Sequence, residues 1–175
     1  GHYALVLGLA LSLAQTIVPM IGLRTNDARM LHVAPPLTIA TFLVVAMSFA
    51  ALTWAYVTSD FSVRNVWANS FSDKPMIFKV TGVWGNHEGS MLLWILTLAL
   101  FGALVAFFGG NLPSRLKAAV LSVQGSVTVA FALFILLTSN PFERLSPAPM
   151  EGRDLNPILQ DIGLAVHPPL LYLGY

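Results

Sequence analysis

The chain has no cysteine in 175 residues. That excludes a disulfide framework, a thiolate metal site and thiol chemistry supplied from within, so any thiol in its chemistry belongs to another molecule. Charge is scarce too: 10% of residues are Asp, Glu, Lys or Arg, where a soluble domain carries about 25%. With 56% hydrophobic residues and a mean hydropathy of +0.74, this is the composition of an integral membrane protein. Also missing are a basic stripe, a Gly-rich phosphate loop and a serine elbow, which removes nucleic-acid binding, nucleotide binding and Ser-His-Asp catalysis. The net charge of +1 points to no partner. The apolar residues fall in several long runs, so a cleaved signal peptide does not account for them.

Four runs without Asp, Glu, Lys or Arg span 3–23, 36–59, 90–112 and 118–138, and a fifth starts at Pro168. Each of the four meets the roughly 20 residues a helix needs to cross a bilayer. None alternates polar with apolar residues, so helices rather than barrel strands satisfy the backbone in lipid. The expectation is an all-α, polytopic transmembrane bundle with four spans and the start of a fifth. The chain begins at Gly1 without methionine and stops at Tyr175 inside a new apolar run, which reads as residues 1–175 of a larger membrane protein. Within the spans, Gln15, Pro19 and Gln124 read as packing or kink features.

The short connections at 24–35 (Arg24 and Arg29 against Asp27) and 109–117 (Arg115 and Lys117) are basic, whereas the longer ones at 60–89 and 139–167 are mixed. The positive-inside rule makes the short loops cytoplasmic and puts the N-terminus and both long loops outside, which for a bacterium means the periplasm. Trp54, Tyr56, Phe61, Trp84 and Trp94 then fall near the outer boundary as an aromatic belt. The last loop is punctuated by proline and is expected to form an ordered cap.

Of the four histidines, His2, His87 and His167 lie outside on this topology and His32 inside. A lone interfacial histidine usually snorkels or makes a hydrogen bond. His87-Glu88 fails as a zinc-protease helix because position 91, where a second histidine belongs, is methionine. Ser90 reads as the N-cap of the third span, and His87 as either part of that entry turn or a ligand. His167 differs in context. Proline disfavours helical geometry in the preceding residue, and Pro168 and Pro169 suit a first turn, so the imidazole is expected just outside a helix entrance. The positive end of a helix keeps a nearby imidazole neutral, with a lone pair for a metal, and haem iron takes such a ligand.

Four segments in order, Trp84-Gly-Asn-His-Glu-Gly-Ser90, Thr138-Ser-Asn-Pro-Phe142, Glu151-Gly-Arg-Asp-Leu-Asn-Pro157 and His167-Pro-Pro-Leu-Leu-Tyr172, resemble the N-terminal part of the CcmF family (CcmF/CycK/NrfE), the haem lyases of bacterial cytochrome c maturation. The resemblance covers essentially the whole chain but only the beginning of a much longer protein. The family's tryptophan-rich segment ending in Trp-Asp is absent. The resemblance implies an inner-membrane protein that accepts haem from the haem chaperone CcmE. It would join the haem vinyl groups to the two thiols of a Cys-x-x-Cys-His motif in apocytochrome c, turning haem b into haem c, alongside CcmH- and CcmI-type subunits.

By its His-Pro-Pro context His167 matches the first of two outward histidines that ligate the transferred haem. The second, and the ligands of a separate transmembrane haem b, would lie beyond Tyr175. No catalytic residue is assigned within the chain. Arg153, and after it Arg144 or Lys79, is the candidate for a propionate contact, against ordinary pairing with Glu143, Glu151 or Asp154. Trp84 and His87 are candidates for the haem-side interface. Two other readings are a docking or assembly subunit of the same machinery, and a fragment of a transporter unrelated to haem. The latter would be expected to place ionisable groups at mid-membrane, where the four runs have none.

Overall fold

The computed structural model describes residues 1–174, apart from the side chain of Leu164, and among them every named element is helical. Tyr175, the terminus of the fifth apolar run, lies outside the described residues. The elements are α1 (His2–Thr25), α2 (Ala28–His32), α3 (Ala34–Val57), α4 (Arg64–Asn69), α5 (Met76–Gly82), α6 (His87–Phe108), α7 (Ser114–Thr138) and α8 (Ile162–Gly174). Among the described residues four helices are long and apolar enough to cross a membrane: α1, α2 running into α3, α6 with its 3-10 extension, and α7. At 13 residues α8 is shorter than such a span.

The helices begin earlier than the apolar runs do. Pro35 and Pro36 sit in the first turn of α3, where a missing N–H costs nothing because that donor has no partner in the helix. Upstream, α6 starts at His87 because Asn86 Oδ1 accepts the Gly89 N–H at 2.8 Å. Asn86, not Ser90, is therefore the N-cap. Residues 60–89 are not plain loop but carry α4 and α5.

The chain divides into two compact units. One comprises His2–Ser48 and Ile95–Leu136; the other comprises Gly1, Phe49–Trp94 and Leu137–Tyr175. In the first, the buried positions of α1 are Leu5, Gly8, Ser12, Gln15, Pro19 and Gly22, and those of α7 run from Ala118 through Leu121, Ser122, Gly125, Thr128 and Ala132 to Ile135. Both sets recur every three or four residues, one face of a helix. That face is small and polar, while Val6, Leu7, Leu13, Ile17 and Ile21 are exposed. Lipid is as apolar as leucine, so helices associate where small residues let backbones approach.

A polar node crosses this packing. Gln15 Nε2 donates to the Leu121 carbonyl and to Gln124 Oε1, both at 2.9 Å, and Gln124 Nε2 donates to the Leu98 carbonyl at 2.7 Å. Gly102 makes the room: a Cβ there would stand 2.4 Å from the Gln124 amide. At the end of α1, Asn26 takes φ 58° and the Asp27 N–H returns to the Gly22 carbonyl at 3.1 Å, a Schellman-type stop. Asp27 then caps α2 by accepting the Arg29 N–H at 2.8 Å.

The second unit is tied by polar contacts between residues 60–74 and 140–155. Arg64 N–H donates to the Glu143 carbonyl and Leu145 N–H to the Ser62 carbonyl, both at 2.8 Å. Further on, Arg153 N–H donates to the Trp67 carbonyl at 2.7 Å and Asp154 N–H to the Ser70 carbonyl at 3.0 Å. Gly152 is required there, since a Cβ would fall 2.0 Å from the Ser70 carbonyl oxygen. Lys74, buried at its ammonium end, pairs with Asp154 at 2.7 Å; Arg64 pairs with Glu143 and Arg144 with Asp60. Tyr56 and Phe61, expected in an interfacial belt, are instead buried in this unit's core with Leu52, Val63, Val66 and Val83, whereas Trp54 stays exposed. The reason for Tyr56 is its hydroxyl, which donates to Asn65 Oδ1 at 2.6 Å and accepts from Asn86 Nδ2 at 3.0 Å.

In a double-mutant cycle of Gln15→Leu and Gln124→Leu, unfolding in detergent should give a coupling of about 0.6 kcal/mol, the usual scale for polar pairs between membrane helices. Gly102→Leu should cost more, about 1–3 kcal/mol, because it overfills the node. The carboxyl of Asp154 is opposed by partial burial, but the Lys74 ammonium and the Leu155 N–H outweigh that and hold it below the usual range. A depressed acid stabilises the fold above its unfolded pKa and loses that contribution as pH falls through the folded value. Asp154→Asn, which keeps the positive φ, should cost about 1–3 kcal/mol at pH 7, the scale of a charged hydrogen bond. The deficit should shrink below about pH 4, read from unfolding curves across pH.

Candidate functional site

The His-Pro-Pro segment lies inside a helix. α8 begins at Ile162, so His167 is its sixth residue and Pro168 and Pro169 are interior. The expectation of an imidazole at a helix entrance is thereby corrected, and with it the dipole argument for its neutrality, since that effect fades within the first turn. The apolar run before His167 prefers helix, and the cost of the prolines is met from outside. In a regular helix the Ala165 carbonyl would accept the N–H of residue 169; proline has none. Trp84 Nε1–H donates to that carbonyl instead, at 2.8 Å.

Trp84 follows α5 on the turn into α6, and its ring stacks on Phe49 with centroids 6.4 Å apart and planes 18° from parallel. A second tie joins the hydroxyls of Ser90, in the first turns of α6, and Tyr172 of α8. Ala165 and Tyr172 are seven residues apart, two turns along one face. That face borders a cleft of about 340 Å³, lined also by Trp84, His87, Met91 and Pro168. The cleft lining is mostly apolar with a few hydroxyl, amide and imidazole groups, the make-up of a small-molecule pocket.

His167 does not line this cleft. At 100° per residue its side chain leaves α8 roughly 100 to 160° away from Ala165, Pro168 and Tyr172. It is exposed, as are Val166, Leu170 and Leu171 beside it, and the residue one turn before it is Gly163, with no side chain to shield it. The imidazole is thus presented on an apolar, open strip. Among the described residues no group of three or more His, Cys, Asp or Glu is arranged to hold a metal ion.

The other sequence candidates separate. His87 opens α6 at the cleft, while His2 opens α1 and His32 ends α2 in the other unit. Arg153 places its guanidinium 4.2 Å from the centroid of the Trp67 ring, not against Glu143, Glu151 or Asp154. Lys79 is buried and donates to Ser59 Oγ at 2.8 Å. Glu151 accepts from the Gly152 N–H and from Ser72, contacts that hold its carboxyl below the usual range. Sequence reasoning missed the triangle of Tyr56, Asn65 and Asn86, in which Asn65 Nδ2 donates to Asn86 Oδ1 at 2.8 Å. It also missed the Trp84 bond to α8. Neither leaves a local signal, since the partners are 21 and 81 positions apart.

Comparison with known proteins bears on this arrangement. The family model described as cytochrome C assembly protein matches residues 84–175, which include Trp84, α8 and all of the cleft lining but Thr81. Cytochrome c-type biogenesis protein CycK of Rhizobium meliloti is 65% identical over 175 residues, covering all of this chain and 26% of that protein. The proteins named CcmF of Escherichia coli and NrfE of Haemophilus influenzae are 45% and 43% identical, with all of this chain and 27% and 28% of theirs covered. Among solved structures, one titled cytochrome c heme lyase CcmF superposes with a TM-score of 0.84 at 29% identity, over 99% of this chain and 27% of that one. The chain spans about a quarter of the length of these relatives. By the family-model match, which agrees with the resemblance of the four segments, it belongs to the cytochrome c assembly protein family.

Proposed function

We propose that this chain is the N-terminal membrane portion of a haem lyase of cytochrome c maturation, and that His167 supplies one axial imidazole to the haem being transferred. The observation that carries the reading is the exposed His167 on the open strip of α8, flanked by Val166, Leu170 and Leu171. A flat apolar macrocycle with a metal at its centre suits such a strip: the imidazole meets iron and the leucines meet the ring. The partner ligand would lie in a later part of the protein. Haem would be received from the chaperone CcmE, with apocytochrome c and CcmH- and CcmI-type subunits as further partners, on the periplasmic side of the inner membrane.

The chemistry asks for little from this chain beyond placement. Each substrate thiol adds across a vinyl group, its sulfur bonding one carbon and its proton passing to the other, with no leaving group. Fixing the reactants so that they meet at short range supplies roughly 7–11 kcal/mol of barrier lowering. The lack of cysteine here agrees with a thiol that comes from the substrate. In this reading Trp84 supports α8 through the Ala165 carbonyl and His87 lines the cleft, so neither is placed against the ring. Arg153 is exposed and stacked by one face on Trp67, which leaves guanidinium N–H groups available for a propionate.

The experiment uses the full-length protein. His167→Ala should lower co-purified haem and the yield of c-type cytochrome at least tenfold, the scale of about 1.4 kcal/mol or more in binding, while His87→Ala should stay within a few-fold of the parent. Unchanged haem content and cytochrome yield in His167→Ala would refute the ligand assignment. Arg153→Ala with unaltered haem affinity would remove the propionate contact alone.

A further inference from the structure

We propose that Trp84 is a positioning residue for His167: its indole N–H replaces the backbone donor that Pro169 lacks, and so sets the rotation of α8 that decides where the imidazole points. The significance for haem rests on the ligand role of His167; the positioning itself does not. A helix carrying two adjacent prolines loses two backbone hydrogen bonds and acquires two ring clashes with preceding carbonyls, which lets it bend or turn. Here the freed Ala165 carbonyl is not left to water. It points to Trp84 Nε1 at 2.8 Å, and Ala165 is itself buried.

The direction of the indole is fixed in turn. Its ring is stacked on Phe49, and the backbone of the next residue is held by the Gly85 N–H donating to the Thr81 and Gly82 carbonyls at 3.1 and 3.2 Å. The Ser90–Tyr172 hydroxyl pair provides a second fixed point two turns along the same face of α8. Two points on one face determine the rotation of a helix about its axis. With Ala165 and Tyr172 held, His167 must leave from the exposed side. Loss of the Trp84 bond releases the Ala165 end of this face while the pair at Tyr172 remains, and the proline-containing turns between can twist.

The substitution that removes the cause also supplies the test. Pro169→Ala restores a backbone N–H for the Ala165 carbonyl, so Trp84→Phe, which keeps an aromatic ring against Phe49 but has no N–H, should matter in the parent and hardly at all in the Pro169→Ala background. The measurement is made on full-length protein in haem-free form: the rate at which diethyl pyrocarbonate modifies His167, read by mass spectrometry, with His2 and His32 as internal references. Trp84→Phe should change the His167 rate several-fold relative to those references, and the change should be much smaller in Trp84→Phe/Pro169→Ala measured against Pro169→Ala.

An unchanged rate in Trp84→Phe, or an equal change in both backgrounds, would overturn the proposal. If Trp84→Phe fails to fold, recovery of folded protein in the double variant supports it and failure of the double variant overturns it. Haem content measured on the same four proteins separates the two ideas. A rate that moves and is rescued while haem content stays constant throughout keeps the positioning role and removes the ligand role of His167.

Discussion

One carbonyl oxygen without its helical donor organises the region that gives this chain its interest. In hydrocarbon or in a dry protein interior, an unpaired peptide group costs several kcal/mol. Pro169 creates such a group at Ala165, and the indole of Trp84, 81 positions earlier, removes it. Because the rescue comes from a side chain on the turn into α6, the two segments most distinctive in sequence, Trp84–Ser90 and His167–Tyr172, are joined by necessity rather than by proximity alone. Everything placed on α8, its exposed imidazole included, inherits that constraint.

The two units solve the absence of hydrophobic drive in different ways. In the first, small residues on α1 and α7 bring backbones together, and a glutamine pair in a glycine niche adds a directional contact. The second binds its long connections by backbone hydrogen bonds, ion pairs and the Tyr56–Asn65–Asn86 triangle, closer to the practice of a water-soluble domain. Asn86 does double duty there, capping α6 through Gly89 while accepting from Asn65.

The sequence made the four long helices legible because lipid imposes a length and an apolar composition that few other structures satisfy. Gln15 and Gln124 were readable as packing residues on the same logic, and the structure places them against each other. Local rules failed where a distant partner overrode them. The proline rule put His167 outside a helix, but it takes no account of a tryptophan able to satisfy the interrupted ladder. Ser90 had the residue type of a cap, yet Asn86 stands four positions earlier and has the better geometry. Tyr56 looked interfacial by type and position; only the presence of two asparagine partners explains its burial. The site is therefore legible in part: the identity of His167 stands out from its neighbours, whereas the face it occupies depends on contacts that periodicity does not encode.

The Gly152 contact bears on how this segment can change length. Residues 147, 148 and 150 are exposed, and Met150 is fully so; extra residues there would extend into solvent. From Gly152 to Leu155 each position is spoken for in succession: a glycine against the Ser70 carbonyl, a donor to Trp67, a donor to Ser70 with a carboxylate on Lys74, and a buried leucine. A single inserted residue in that stretch would displace every one of these partners at once. Length variation in the last long connection is thus confined to the exposed stretch around 146–150, between the residues tied to 62–64 and the tetrapeptide, and the tetrapeptide acts as a ruler that fixes where the chain resumes on its way to α8.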